Sequence, residues 1–455
     1  MSRALKESFK ARPLEEKTIK LLEATMNDKM GYRHIPQVFF LFITFLAVAL
    51  PIRSVPTFIE LLTGAMLTQS GFVTQAWLAV NMHRHWTSYY KWLQKGKWSW
   101  VKLGIQMAKL LITFFPQQQR FLIIDDTIIY RHSKKAPGSK INHEHGSKTN
   151  RPKYVRGQSW VSLASVVNGG LSFAAIPLLF RMMRVNGNTS KLDAAKTLIR
   201  AVQPVFVNEN VCLLLDSWYM RGKLILYALT NGIHVIGQVR KDTALYDIPK
   251  RTGKRGRPRK YGDKYTPERI AFLPEKRERH FIYGKRQWVH YKSVIAKARF
   301  LKGKRVRAVW VCFEDDDGAL TKEHLILATN TTLTPWEVIS AYAKRWSIET
   351  MFAQIKNNWG WKETWQQSRQ VLHRWTQILS IGYALPQLLA LIGGSQINKL
   401  SYLTPWRTNK SITAGQVRLW LKMILGHVRI RDWWNAKSRK FELPFQPISG
   451  YLPDD

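Results

Sequence analysis

The chain reads as an α/β protein: a sheet buried on both faces, preceded by a helical region and interrupted by a basic insertion. Short, almost wholly apolar runs such as FLIID, VCLLLD and HVIGQV alternate with helix-period segments, the pattern of strands covered by helices on both sides. Strand-like runs resume in RVRAVWVCF and HLILATN after a dense block of basic residues, so the sheet region is split in sequence. At 455 residues the chain is long enough for several domains and a large core.

Residues 1–115 are expected to be mostly helical. The N-terminus is charged and amphipathic and does not read as a signal peptide. The apolar run 35–51 is shorter than a bilayer span and carries Gln37 and Thr44, so a buried helix and no membrane segment is expected. Segments 56–67 and 72–83 flank a TQSG turn, which fits a helix-turn-helix or an ordinary helical hairpin. The following HRHWTSYYKWLQKGKWSW mixes basic and aromatic residues, suited to nucleic acid or to packing.

Residues 116–240 form the first part of the sheet region. FLIIDD and VCLLLD are strands ending in carboxylates; residues 159–180 read as two strands around Asn168-Gly169-Gly170. KLDAAKTLIRAVQPV is a helix stopped by Pro204, and RGKLILYALTNG a helix capped by Gly232. Residues 241–320 are the insertion; the stretch 240–307 carries 23 Lys and Arg against 6 Asp and Glu. Its centre, TGKRGRPRKYG, places Arg255, Arg257, Arg259 and Lys260 on an extended segment whose Arg-Gly-Arg-Pro resembles an AT-hook core, a minor-groove binder; a solvated loop is the alternative. The insertion is expected to project from the core, strand-rich at its ends. Residues 321–395 return to the sheet region, with Thr334, Pro335 and Glu337 opening a helix. Residues 396–455 are a basic C-terminal region with one clear helix, ITAGQVRLWLKMIL, and a candidate oligomerisation segment.

A formal net charge of +41 on a chain with ordinary apolar content excludes a disordered basic tail and implies a polyanionic partner, nucleic acid foremost. Cys212 and Cys312 are the two cysteines, too few for a cysteine zinc site and expected to be reduced core residues. His143 and His145 read as loop residues.

Tyr342, Arg345, Glu349 and Lys356 are spaced Tyr-x2-Arg-x3-Glu-x6-Lys. On one continuous helix they fall within an arc of roughly 60°. Ion pairing on a solvated face explains Arg345 and Glu349 alone. Together with strand-end Asp126 and Asp216, Glu349 completes a set of three carboxylates, which repel unless cations hold them. Hard oxygen ligands favour Mg²⁺ or Mn²⁺, and two such ions suit phosphodiester displacement. Asp125 precedes Asp126, and strand alternation allows only one of them into the site. Alternation alone leaves the choice open; the resemblance given next, through Thr127 and Tyr130-Arg131-His132, favours Asp126, with Asp125 as the alternative.

These residues resemble the DDE transposases of bacterial insertion sequences, in the group marked by a Tyr-Arg-Glu-Lys signature. Asp126-Thr127 with Tyr130-Arg131-His132, LLLDSWY with Asp216, and the four signature residues carry the resemblance, over roughly residues 115–395. It implies an RNase H-like core with an insertion between the second and third acids. It implies Asp126, Asp216 and Glu349 as catalytic, metal-binding residues with two Mg²⁺ or Mn²⁺ ions, and Tyr342, Arg345 and Lys356 as contacts to transposon-end phosphates. The partners implied are double-stranded DNA, as element ends and target, and a second or further copy of the chain on DNA; the place is the bacterial cytoplasm, at the nucleoid. The N-terminal helical region is then expected to bind the element ends. Trp359, Trp361 and Trp365 are candidates for base stacking or for packing. A decayed or domesticated transposase that only binds DNA, and an RNase H-like nuclease, are the competing readings.

Overall fold

The computed structural model describes residues 35–144, 152–169, 172–185, 189–250, 258–392 and most of 400–442, where 401–402, 405, 408–409 and 427 are excepted. Arg255 and Arg257 lie outside the described residues.

Helices come first: α1 (Ile35–Ala47), α2 (Val55–Leu67), α3 (Val73–Leu78), α4 (Trp86–Lys95) and α5 (Trp100–Phe114). Every residue of α2 except Pro56 is buried, because the helix is apolar on all sides and must be covered all round. The second helix of the expected pair is cut short. It stops at Leu78 instead of running to residue 83. The buried Glu60 carboxylate explains this: it draws in the His83 amide at 2.9 Å and the Tyr89 hydroxyl at 2.9 Å, and so turns the chain away from the helix.

The sheet begins with β1 (Arg120–Tyr130), β2 (Ser139–His143), β3 (Tyr154–Gly169) and β4 (Ser172–Met182). Helix α6 (Lys191–Val202), β5 (Val211–Leu215), α7 (Gly222–Thr230) and β6 (His234–Val239) follow. In space the order is β4–β3–β1–β5–β6. The β1–β3 and β3–β4 pairs are antiparallel, and β1–β5 and β5–β6 are parallel. Strand β2 lies end to end with β4 on the outer side of β3, pairing with Tyr154–Gln158.

The rest of the sheet is built from β7 (Leu245–Tyr246), β8 (Glu275–Ile282), β9 (Lys285–Ala298), β10 (Lys304–Phe313) and β11 (His324–Ala328), with the short α8 (Pro267–Ala271) between β7 and β8. The insertion therefore continues the sheet. β11 pairs with β6, β10 with β11 and β9 with β10, all antiparallel, making one 11-stranded sheet. The physical reason is the second edge of β11, which pairs with β6 on one side and would leave its other backbone groups open without β10.

Then come α9 (Pro335–Ala343), α10 (Ser347–Asn358), α11 (Arg369–Ile392) and α12 (Ala414–Leu425). Of the described helices, α11 is the one long and apolar enough to cross a membrane, but 83% of its apolar window is buried inside the protein. In α1, Phe39, Phe42, Ile43 and Leu46 are fully buried. Strand alternation divides the core. Leu122 and Ile124 of β1 pack with the N-terminal helices, α6 and α7; Phe121, Ile123 and Ile129 pack with α9 and α10.

Candidate active site

Strand β1 leaves the apolar core at Asp125 and Asp126. Its parallel register with β5 pairs Ile124 with Leu215, so Asp125 and Asp216 follow at the same end of neighbouring strands. The two carboxylates then face different partners, as alternation requires. Asp125 lies on the α10 side: its Oδ2 is 3.5 Å from Arg345 Nη1, and Arg345 Nη2 donates to Glu349 Oε1 at 2.8 Å. Asp126 lies on the α6 side, where it accepts from Lys191 Nζ at 2.6 Å and from the Tyr219 hydroxyl at 2.9 Å. Tyr219 also donates its backbone N–H to Asp216 Oδ1 at 2.9 Å. The expectation favouring Asp126 thus meets a structure in which Asp125 is the aspartate ion-paired, through one guanidinium, with Glu349.

The four signature residues do not form one helical stripe. Tyr342 closes α9, a 3₁₀ turn (Lys344–Trp346) holds Arg345, and α10 carries Glu349 and Lys356. The bend splits their surroundings. Tyr342 and Arg345 line a cleft of about 930 Å³ together with Gln238, Lys344 and Tyr283, while Glu349 and Lys356 line one of about 880 Å³ together with Asp125, Asp126, His132 and Trp365. Tyr342 is buried and donates its hydroxyl to Gln238 at 3.3 Å. Arg345 sits between the clefts; its Nε is buried and has no hydrogen-bond partner among the described residues.

The electrostatics are those of crowded carboxylates. Burial, and then the neighbouring Asp216, push the Asp125 carboxyl up to about 7, against the pull of Arg345. Burial also raises Asp216, opposed by the Tyr219 amide and Arg345. Burial and the Asp126 charge push the Tyr219 phenol well up, so it stays a donor. Burial works against the Arg345 charge, but the acidic groups around it, Tyr342, Glu349 and Asp125, outweigh that and hold it cationic.

Among the described residues no group of three or more His, Cys, Asp or Glu side chains stands close enough together to hold a metal ion. Glu349 is turned onto Arg345 and Asp126 onto Lys191. The donor chemistry nonetheless fits a hard divalent cation: all three candidate ligands are carboxylates, and two of them are raised by burial that a cation would offset.

The structure thus draws Asp125, Asp216, Arg345 and Glu349 together and sets Lys356 in the cleft beside them. Arg259 and Lys260 are exposed on the insertion and are not among these lining residues. Trp359 and Trp361 are fully buried, so they pack; Trp365 is 56% exposed and borders the carboxylates. Sequence reasoning missed Lys191, Tyr219 and Tyr283. Tyr219 lies inside the LLLDSWY run, three residues past Asp216. Tyr283 and Gly284 both have positive φ at the tip of the β8–β9 hairpin, a tight-turn signal that the sequence does contain.

A sheet whose neighbouring strands end in carboxylates, faced by a helix-borne Glu and carried on a strongly basic chain, defines a class of phosphodiester-handling proteins. Residues 116–383 match the transposase DDE domain family, and the chain belongs to that family. No curated protein matches it. Among solved structures the chain is similar to the NurA nuclease from Sulfolobus solfataricus, at 10% identity over 50% of this chain and 72% of that one, with a TM-score of 0.22, too low to support any argument.

Proposed function

We propose that this protein is a DNA transposase of a bacterial insertion sequence, of the Tyr-Arg-Glu-Lys group, that cleaves element ends and joins them to target DNA. The observation that carries this reading is the single guanidinium of Arg345 held between Asp125 and Glu349, beside Asp216. The strand order β4–β3–β1–β5–β6, with β3 antiparallel to its neighbours, supports an RNase H-like core.

Asp125, Asp216 and Glu349 are the residues we assign to hold the divalent ions, with Asp126 as a positioning residue tied to Lys191 and Tyr219. Mg²⁺ or Mn²⁺, two ions in the family's scheme, would supply activation of the attacking oxygen and stabilisation of the leaving one. Arg345 bridges two of the three ligands, Asp125 and Glu349. Releasing Glu349 frees Nη2, and with the unpartnered Nε this leaves two donors for a phosphate oxygen. Lys356, in the same cleft as Glu349, places a further cation there. Tyr342 acts through Arg345, whose guanidinium lies 5.7 Å from its ring. Arg255, Arg257, Arg259 and Lys260 are assigned to the duplex backbone, the N-terminal helices to the element ends, and a dimer or larger assembly to the DNA-bound state.

The test uses DNA carrying this gene with its native flanks, incubated with the protein and Mg²⁺, with breaks mapped by primer extension. Breaks at two fixed positions bordering the gene, lost in Glu349→Gln, are the expected result. Breaks without positional preference would favour the nuclease reading, and DNA binding without any breaks the non-catalytic one.

A further inference from the structure

The sheet carries cationic surface at both edges, and only the insertion edge has so far been given a partner. Beyond the carboxylates, β1 ends at Tyr130 and the chain continues through Arg131 and His132, all three of which line the same cleft as Asp125 and Glu349. The chain then runs through an exposed loop with Lys134 and Lys135 into β2, and returns through Lys153 along β3. Among the described residues between Arg131 and Arg156 there are six Lys and Arg and one acid, Glu144. That acid already accepts from the Tyr130 hydroxyl at 2.6 Å. No ion pair involves Lys134, Lys135 or Lys153 among the described residues. Buried Arg131 anchors the base of this ribbon by donating to the carbonyls of Lys362 and Thr364, each at 2.8 Å. The ribbon is therefore a fixed cationic arm that starts at the catalytic cleft.

Its place in the sheet separates it from the insertion. The order β2–β3–β1–β5–β6–β11–β10–β9 leaves seven strand steps between β2 and β9, roughly 34 Å at the usual spacing. The cleft at β1 lies between the two edges, nearer the ribbon. Exposed lysines flanking an antiparallel ribbon, without an ion pair among the described residues, suit a phosphate backbone read without sequence. Resting on the transposase reading above, we infer that the β2–β3 ribbon, through Lys134, Lys135 and Lys153, holds the target duplex, a DNA separate from the element end.

Two measurements test this. The first compares wild type with K134E/K135E/K153E, using the flanked gene fragment as donor and an unrelated supercoiled plasmid as target. The ratio of plasmid insertion to end cleavage should fall at least about tenfold, since three backbone contacts are lost. A ratio constant to within about twofold overturns the inference, whichever way the separate rates move. Equal melting temperatures confirm that the variant is folded. The second measurement is independent of end cleavage and so separates failure of this inference from failure of the transposase reading. Lysine acetylation is followed by mass spectrometry with and without a 20-bp duplex of arbitrary sequence. Salt-sensitive protection of Lys134, Lys135 and Lys153 supports the ribbon as a DNA surface even if the wild type cuts no ends. Unchanged acetylation of all three overturns it.

Discussion

At Asp125 a carboxylate is buried beside a second carboxylate, and one guanidinium offsets both that repulsion and the charge of Glu349. Removing the guanidinium should leave uncompensated buried charge. Arg345→Gln is expected to cost about 3 kcal/mol of stability at pH 8 in urea melts. Unchanged stability with a salt slope of DNA binding reduced by about one would instead mean that Arg345 faces DNA and not the carboxylates. His373 shows the opposite charge problem. It is buried, accepts from the Met182 amide through Nε2 at 3.2 Å and donates from Nδ1 to the Arg369 carbonyl at 2.8 Å, so it is held neutral. Burial pushes its pKa down from 6.5 to about 4. The unfolded chain takes up a proton that the folded chain refuses, so stability is full above pH 6.5 and is lost as pH falls toward 4. The loss is expected to be about 3 kcal/mol, and to flatten in His373→Gln; an equally steep profile in that variant would assign the acid sensitivity elsewhere. That one of Asp125 and Asp126 must turn away from the site was readable from alternation. Which one was not, because it depends on the face where α10 lands, and that is decided by chain topology and not by the strand's own residues.

Among elements, the break between α9 and α10 sets the site. The capping box of Thr334 and Glu337 was legible, since its residue types and spacing are local, and both of its hydrogen bonds are made. A short break or bend between that helix and the one carrying Glu349 was expected too, but its place was not legible: Lys344–Trp346 contains neither Gly nor Pro, and the helical spacing of the signature runs through it unbroken. The far end of α10 is fixed by a backbone-to-backbone contact. Gly360 has φ +69°, and a Cβ there would lie 2.0 Å from the Gly71 nitrogen. Glu363 reinforces this contact by accepting from Ser70 Oγ at 2.8 Å and from the Gly71 amide at 3.2 Å. Gly360→Ala therefore combines an unfavourable backbone with overpacking, and should cost about 3 kcal/mol in urea unfolding. A loss below about 0.5 kcal/mol would show that the loop after α2 does not dock there.

Across the whole molecule, the chain carries a net charge of +41, and its sheet has two basic edges with the carboxylate-bearing strands between them. Binding to any duplex should be dominated by counterion release, with affinity falling by about a thousandfold or more between 50 and 200 mM salt. A fall below about tenfold, measured by fluorescence anisotropy, would mean that few of these charges meet phosphate. Charge and alternating strand and helix runs were legible in composition and period. The merging of the insertion into the central sheet was not, because it depends on β10 finding the free edge of β11, and no local pattern encodes such a partner. The sharpest test of the assignment of Asp125, Asp216 and Glu349 is anomalous diffraction from crystals grown with Mn²⁺. Density between Asp125 and Asp216, with Glu349 released from Arg345 and Asp126 still on Lys191, is the expected result. Mn²⁺ bound by Asp126 with Asp125 left on Arg345, or no site near either aspartate, would contradict it.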